Sequence, residues 1–367
     1  MFESADDFLW HIERTQGLLA TDLRNISLPR EDLLALADQY AAGISAIPTM
    51  IDFHGSQETI REQARREFTK PEFLHELYYR PWLLQWALRE AELALGDQWA
   101  LVKDFPVGAI TAPIFNACAC KSPDGWKVVV LNLPLIMRLY DITLSLTHAY
   151  SFVEADQSKA EEHRVAFQSK IRQVRSLPQD DLSALFVGGG DLEWGADAVA
   201  VSELAAFQIL FVLLHEYAHI VLGHLGPTEL QLAHPMDDSE SGIKYFTRSQ
   251  AQEFAADARA YEWMLGLAER LADEPQHGLQ ESAWYKATVA PCFIFPLLRE
   301  LERGTSSDTH PPAMTRLKFL FALCRKSEQR RDTEAGSILG VGLYKYKRLW
   351  GDDVPPDILK LRFEVEE

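Results

Sequence analysis

The sequence is poor in cysteine and has no excess of positive charge, and both shortages restrict its expected partners and location. Its 367 residues include only four cysteines, which do not suggest a disulfide framework. Cys118 and Cys120 are expected on one face of a single strand, a poor geometry for bridging each other. The formal net charge is −18, because 54 acidic residues outnumber 36 basic ones. We therefore expect no nucleic acid and no anionic membrane as a partner, since either requires a basic face.

Long apolar runs and a leader-like start are also missing. The longest apolar stretches, 207–214 and 289–298, are shorter than the roughly 20 residues of a membrane-spanning helix. Residues 1–7 are acidic and lack the basic-then-apolar layout of a secretory signal. With 47% hydrophobic and 25% charged residues, the composition is that of an ordinary globular protein. The expectation is a cytoplasmic protein.

The spacing of the apolar residues predicts a mainly α protein with a small β-hairpin or sheet, an α+β fold. In residues 1–100, apolar positions recur at three- and four-residue intervals, which predicts a helical N-terminal region. A central domain is expected over 101–330 and a C-terminal extension over 331–367. Inside the central domain, the stretches 108–119 and 126–133 flank a Ser-Pro-Asp-Gly turn, which favours a hairpin.

The most informative pattern in the chain is His215-Glu216-x-x-His219. A helix is predicted around it at about 202–225, with Ser202 as its N-cap. Residues four apart lie on one helical face, so the two imidazoles would project together, with Glu216 beside them. A buried helix accepts two histidines and a glutamate only when they are paired or bound to a metal, because a desolvated carboxylate is costly. The pattern therefore favours a zinc site with Glu216 as a general base.

A third metal ligand is expected from the alanine-rich helix predicted at about 248–272. Catalytic zinc usually takes three protein ligands and leaves a fourth position for water. Glu253 and Asp257 lie four residues apart on one face of this helix, among apolar neighbours. We expect Glu253 to bind the metal and Asp257 to accept a hydrogen bond from a ligand histidine. The alternative for Glu253 and Asp257 is that both carboxylates face solvent. His234, in the loop that connects the two helices, is a weaker candidate for the third ligand.

In this order, these residues resemble the glutamate-zincin metallopeptidases, in particular the group of the CAAX prenyl protease and the heat-shock protease HtpX. Further shared features are His224, five residues after the second histidine, and a Thr-His-Pro-Pro segment at 309–312 followed by Arg316. The resemblance covers residues 108–325. It implies a zincin-like metallopeptidase fold, zinc as the cofactor and hydrolysis of peptide bonds. The sequence departs from that group, because neither a membrane anchor nor an export signal is expected from it.

The resemblance also implies roles for residues around the metal. His310 is a candidate donor to the oxyanion that forms during hydrolysis. The alternative is that it belongs to the start of the helix expected at 313–326. Arg316 is expected to pair with an acid such as Asp257 and to brace the site. His224 is expected to be structural.

An edge strand that pairs with an extended peptide is the usual means of substrate capture in zincins. The hairpin around 110–131 is the candidate for this strand. The resemblance includes an Asn-Ala pair in a strand before the active helix, and here that pair is Asn116-Ala117. Asn116 is therefore expected beside the bound peptide.

The sequence is also similar to the phage-exclusion protease Lit and related bacterial His-Glu-x-x-His peptidases, which cleave an intracellular protein and stay silent until infection. The expected function is that of a zinc endopeptidase acting on an intracellular protein or peptide. One alternative is a Lit-like defence protease that is silent until an activating partner binds. Another is a zinc-stabilised binding protein without turnover, which Glu216 disfavours because a structural site needs no base. Manganese, cobalt or iron would suit the same ligands.

Overall fold

The protein is mainly helical with a small sheet, as predicted. The computed structural model describes residues 3–16, 30–45, 56–69, 82–110, 117–175, 196–225, 230–232, 244–246, 250–273, 280–302, 311–326 and 330–351. Within these ranges the helices are α1 (Ala5–Gln16), α2 (Arg30–Ser45), α3 (Gln57–Phe68), α4 (Trp82–Leu95), α5 (Leu133–Phe152), α6 (Gln157–Arg175), α7 (Ala196–Val221), α8 (Gln250–Asp273), α9 (Gln280–Val289), α10 (Pro291–Glu302), α11 (Ala313–Lys326) and α12 (Arg330–Trp350). A short 3₁₀ helix over Gly96–Leu101 follows α4.

Three strands form one sheet in the order β1-β3-β2. They are β1 (Val107–Ile110), β2 (Ala117–Lys121) and β3 (Lys127–Asn132). β2 and β3 are antiparallel and make the predicted hairpin, whose turn ends at Gly125 with a φ of 95°. The prediction of one continuous arm over 108–119 is wrong. β1 pairs parallel with the other side of β3, so β1 and β2 are separate strands on opposite edges.

The central helix is α7, which is apolar on almost every side and therefore lies in the core. It begins at Ala196 rather than near 202, so Ser202 lies inside the helix and the predicted N-cap is wrong. The window Ala200–Val221 is long and apolar enough to cross a membrane by length and composition, contrary to the expectation from shorter runs. Since 89% of that window is buried inside the protein, its composition is explained by its place in the core.

Helices from all three predicted regions contribute to the main core. α4 packs against α7 and contributes Leu84, Ala87 and Ala91 to this core, and α12 contributes Leu339 and Leu343. The division into 1–100, 101–330 and 331–367 stays a prediction. What the packing determines is that α7 is enclosed by helices on several sides, so any side chain it directs inward is shielded from water.

Helix α6 is more buried than its charge suggests. The sequence predicts a charged and exposed helix over 154–174, but Ala160, Phe167 and Ile171 form a buried stripe on it. These residues recur at helical spacing, and the helix that carries them packs against α5 and α10. Its charged residues occupy the remaining faces.

Candidate metal centre

Helices α7 and α8 pack against each other and bring His215, His219 and Glu253 together. Their candidate ligand atoms all lie within 4.8 Å of one another. The two histidine Nε2 atoms are 3.0 Å apart, and the Glu253 carboxylate oxygens lie 3.5 Å from the first and 3.4 Å from the second. All three side chains are buried, with Glu253 only 1% exposed. Two imidazole nitrogens and one carboxylate are a donor set that zinc takes in open catalytic sites, so this group could hold a metal ion.

A buried ion pair supports His215 from behind. His215 Nδ1 lies 2.9 Å from Asp257 Oδ1. Arg316, near the start of α11, donates hydrogen bonds of 2.7 Å from Nε and from Nη2 to the two oxygens of the same carboxylate. Burial by itself raises the pKa of Asp257, but Arg316 and His215 outweigh it and hold the pKa below the ordinary value. Asp257 is therefore a fixed negative charge that orients the imidazole of His215.

The electrostatic surroundings of His215 favour a positive charge. Burial is the largest single influence and lowers the pKa of this histidine, yet the carboxylates of Asp257 and Glu253 raise it to about 9. A bound divalent cation would replace the proton in the same field, because a metal needs the deprotonated imidazole. The donor set and the electrostatic field are therefore both compatible with a bound cation.

The second histidine has its own supporting contact. His219 Nδ1 lies 3.0 Å from His224 Nδ1, so one ring donates a hydrogen bond to the other. The backbone of α7 creates this contact at its C-terminus. Gly223 takes a φ of 69°, its N–H donates to the carbonyl of Ile220, and the N–H of His224 donates to the carbonyl of His219. This is the Schellman end of a helix, and it folds His224 back over His219.

Glu216 lies between the metal group and the sheet. Its side chain is 3% exposed, and its Oε2 accepts a 2.5 Å hydrogen bond from the backbone N–H of Ala119. In an antiparallel pair of strands, residue pairs that exchange hydrogen bonds alternate with pairs that do not. The Ser122 N–H donates to the carbonyl of Trp126, so the pair Ala119–Val129, three positions further along, is one that exchanges no hydrogen bonds. The N–H of Ala119 therefore points away from β3. Since β2 is an edge of the three-stranded sheet, the Glu216 carboxylate lies at that edge.

A second small sheet lies near the same edge. β4 (Leu230–Leu232) and β5 (Lys244–Phe246) form an antiparallel pair in the segment that joins α7 to α8. β5 approaches β2. Part of the connection between the two helices that carry the candidate ligands therefore lies close to β2.

The structure brings together most of the predicted site residues. His215, His219, Glu253, Asp257 and Arg316 share one buried cluster, with Glu216 and His224 touching neighbouring groups. Asn116, His234 and His310 lie outside the described residues, so their expected positions stay predictions.

The Ala119 N–H is the contact that the sequence did not suggest. Every residue except proline has an N–H, so no side-chain pattern distinguishes this one. Only its place on an outer strand, facing α7, gives it a role.

Comparison with known proteins identifies the family. The profile of the family described as Peptidase U49 matches residues 151–334, which is half of the chain's 367 residues. Curated proteins and solved structures gave no match. The matched stretch includes α7, α8 and α11, and thus every residue of the buried cluster. The chain belongs to the Peptidase U49 family, and its substrate is accordingly a protein or a peptide.

Proposed function

We propose that this protein is a zinc-dependent endopeptidase whose metal ligands are His215, His219 and Glu253 and whose general base is Glu216. One observation carries the proposal: three buried side chains that could hold a metal ion converge near a further carboxylate, Glu216, in a chain of a peptidase family. A purely structural zinc site has no need for this further carboxylate. The resemblance to the glutamate-zincin group, with a zincin-like fold, agrees with this choice.

When bound, zinc supplies Lewis-acid activation of a water molecule and of the scissile carbonyl. Glu216 takes a proton from the attacking water and later delivers one to the leaving nitrogen. Asp257 and Arg316 hold His215 in one orientation, and His224 does the same for His219. His310 remains our candidate for a further hydrogen bond to the developing oxyanion.

The edge of β2 is the proposed binding site for an extended peptide. A strand at the edge of a sheet can pair with an extended peptide through main-chain hydrogen bonds that do not depend on the substrate sequence. Ala119 lies against Glu216, so a peptide paired there would pass close to the base. Asn116 precedes this strand and is proposed to contact the peptide. The protein is proposed to act in the cytoplasm, without a membrane or a nucleic acid as a partner.

A second candidate keeps the same site but makes it silent until an activating partner binds. The Peptidase U49 match supports it, because it agrees with the resemblance to the phage-exclusion protease Lit. The approach of β5 to β2 also supports it, since the same edge is proposed to receive the substrate. In this form, the partner would have to open the edge of β2.

The test compares wild type with Glu216→Gln. Both proteins are expressed in the same cells, their metal content is measured after purification, and newly formed protein N-termini are sequenced across the proteome. Glu262→Gln, on the exposed face of α8, is the matched control for loss of a carboxylate. We expect all three proteins to retain zinc, and only wild type and the control to generate new N-termini.

Other outcomes separate the alternatives. New N-termini that appear only when the partner is present, and only with Glu216 intact, favour the silent protease. Retained zinc with no Glu216-dependent N-termini under any condition favours a zinc-stabilised binding protein. A wild-type protein that binds no divalent metal contradicts the proposal.

A further inference from the structure

Cys118 and Cys120 lie close together on β2, on either side of the residue that contacts the proposed base. Their sulfur atoms are 3.2 Å apart. The face of the sheet that they share is covered by α1, where Phe8 and Ile12 pack with Cys120. Cys118 is half-buried, whereas Cys120 is 5% exposed. An oxidant from solvent therefore reaches Cys118 first and finds a second thiol directly beside it.

We propose that Cys118 and Cys120 are a redox modification site that forms a reversible disulfide with hydrogen peroxide as the oxidant. The Cys118 thiol gives up its proton and the thiolate attacks one peroxide oxygen. The O–O bond breaks, and the leaving hydroxide takes up that proton, so a sulfenic acid and one water are formed. The Cys120 sulfur then attacks the Cys118 sulfur, the S–O bond breaks, and a second water leaves. The two thiols lose two electrons in total, and the peroxide is reduced to two waters.

The strand makes this disulfide possible but strained. Two residues apart on a strand, the Cα atoms are about 6.6 Å from each other. That separation is near the upper end of the range of about 4.4–6.8 Å that disulfides accept. Most disulfides have Cα atoms only about 5.5–6 Å apart, so closing the bond draws the two Cα atoms together and puckers β2 between them. Strained disulfides are the more easily reduced ones, so the geometry that is poor for a permanent bridge suits a reversible one.

The pucker falls on Ala119, whose N–H holds the Glu216 carboxylate. Moving this N–H would release Glu216 and would distort the edge that is proposed to bind the substrate. Oxidation would thus lower peptidase activity, and reduction would restore it. This consequence rests on the proposed function, whereas the disulfide and the displacement of Ala119 do not.

Cys292 and Cys324 provide an internal comparison within the same protein. Both are buried in the helical core, and burial raises the pKa of each thiol to about 12. A protonated and shielded thiol reacts poorly with peroxide, because the thiolate is the nucleophile. Oxidation is therefore expected at the strand pair and not in the core.

The experiment treats the reduced full-length protein with hydrogen peroxide and compares wild type with Cys118→Ala. Remaining thiols are alkylated after unfolding, and mass spectrometry maps Cys118, Cys120, Cys292 and Cys324. Hydrogen–deuterium exchange is measured at Ala119 in the reduced and oxidised forms, together with peptide cleavage before and after treatment with dithiothreitol.

We expect wild type to lose two hydrogen atoms at the strand pair and to leave both core cysteines open to alkylation. Exchange at Ala119 should become at least about tenfold faster on oxidation, because its hydrogen bond to a charged carboxylate is lost. Both changes should be reversed by dithiothreitol and be absent from Cys118→Ala.

Three results would overturn the proposal. They are full alkylation of both strand cysteines after peroxide, gain of oxygen without loss of hydrogen, and a disulfide that leaves Ala119 exchange unchanged. A reduced protein without any cleavage would count against the proposed function alone, since the mass and exchange measurements still decide the disulfide.

Discussion

Replacing Asp257 by asparagine would remove a negative charge from a fully buried position and would barely change the size of the side chain. The Asp257 side chain is 0% exposed and accepts two 2.7 Å hydrogen bonds from Arg316, which is itself 7% exposed. Because both side chains are buried, water cannot readily take the place of the lost negative charge beside Arg316. Breaking a buried ion pair by removing one side costs about 3–5 kcal/mol of stability. Since the amide oxygen of asparagine can still accept one hydrogen bond, we expect a loss of about 3 kcal/mol.

The same substitution should weaken the metal site. Asp257 orients His215, and loss of such a supporting carboxylate typically lowers metal affinity about 10–100-fold. Arg316 would weaken the metal site further, because its Nη1 lies 3.6 Å from Glu253 Oε2. Without Asp257, this cation would be drawn toward the carboxylate that is proposed to bind the metal.

Two measurements check these values. Urea unfolding in the presence of a chelator gives the free energy of unfolding, and competition titration with a zinc indicator gives the affinity. Glu262→Gln is the matched control, because Glu262 pairs with Arg259 at 3.0 Å on the same helix but is 56% exposed. An exposed pair of this kind is worth about 0.2–1 kcal/mol, and its loss should leave zinc affinity unchanged.

The outcome that refutes the reasoning is an Asp257→Asn protein as stable as the control variant and with wild-type zinc affinity. A loss of stability with unchanged affinity would show that Asp257 supports the fold but does not support the metal ligand.

Three further predictions concern the metal site and the core. Folding raises the pKa of His215 from 6.5 to about 9. In the presence of a chelator, the stabilisation from its protonated ring should therefore be fully present below about pH 6.5 and be lost as the pH rises through about 9. Urea unfolding across this pH range measures the free energy of unfolding. His224→Ala should lower zinc affinity about tenfold by removing the partner of a ligand histidine, as judged by indicator titration. Gly342→Ala should cost about 1–3 kcal/mol, because its Cβ would lie 2.8 Å from the Cys292 Cβ and closer still to the sulfur. Gly266→Ala, with nothing within 4 Å, should gain about 0.5–1 kcal/mol, and thermal unfolding compares the two alanine variants.

Each of these predictions can fail in a distinct way. Stability that rises between about pH 6.5 and 9 in chelator would contradict the raised pKa of His215. Unchanged zinc affinity in His224→Ala would limit His224 to the helix end. Equal stability of the two alanine variants would show that the core around Cys292 adjusts to the added methyl group.

The sequence was sufficient where neighbours along the chain decide the structure. The spacing of His215 and His219 places both rings on one helical face, because side chains four residues apart overlie each other. The turn at Gly125 marked the hairpin, because it uses a backbone conformation that glycine adopts readily. The mainly helical class followed from the same local periodicity.

Tertiary structure decided which distant groups meet. Glu253 approaches the histidines because α8 packs on α7, and Arg316 reaches Asp257 across 59 residues of chain. β1 lies parallel to β3, although the local sequence suggested one continuous arm, because strand pairing is a long-range choice. The contact of Ala119 with Glu216 joins groups 97 residues apart. Such contacts depend on how whole faces of helices and strands pack together, and the helix and strand preferences of short segments do not determine that packing.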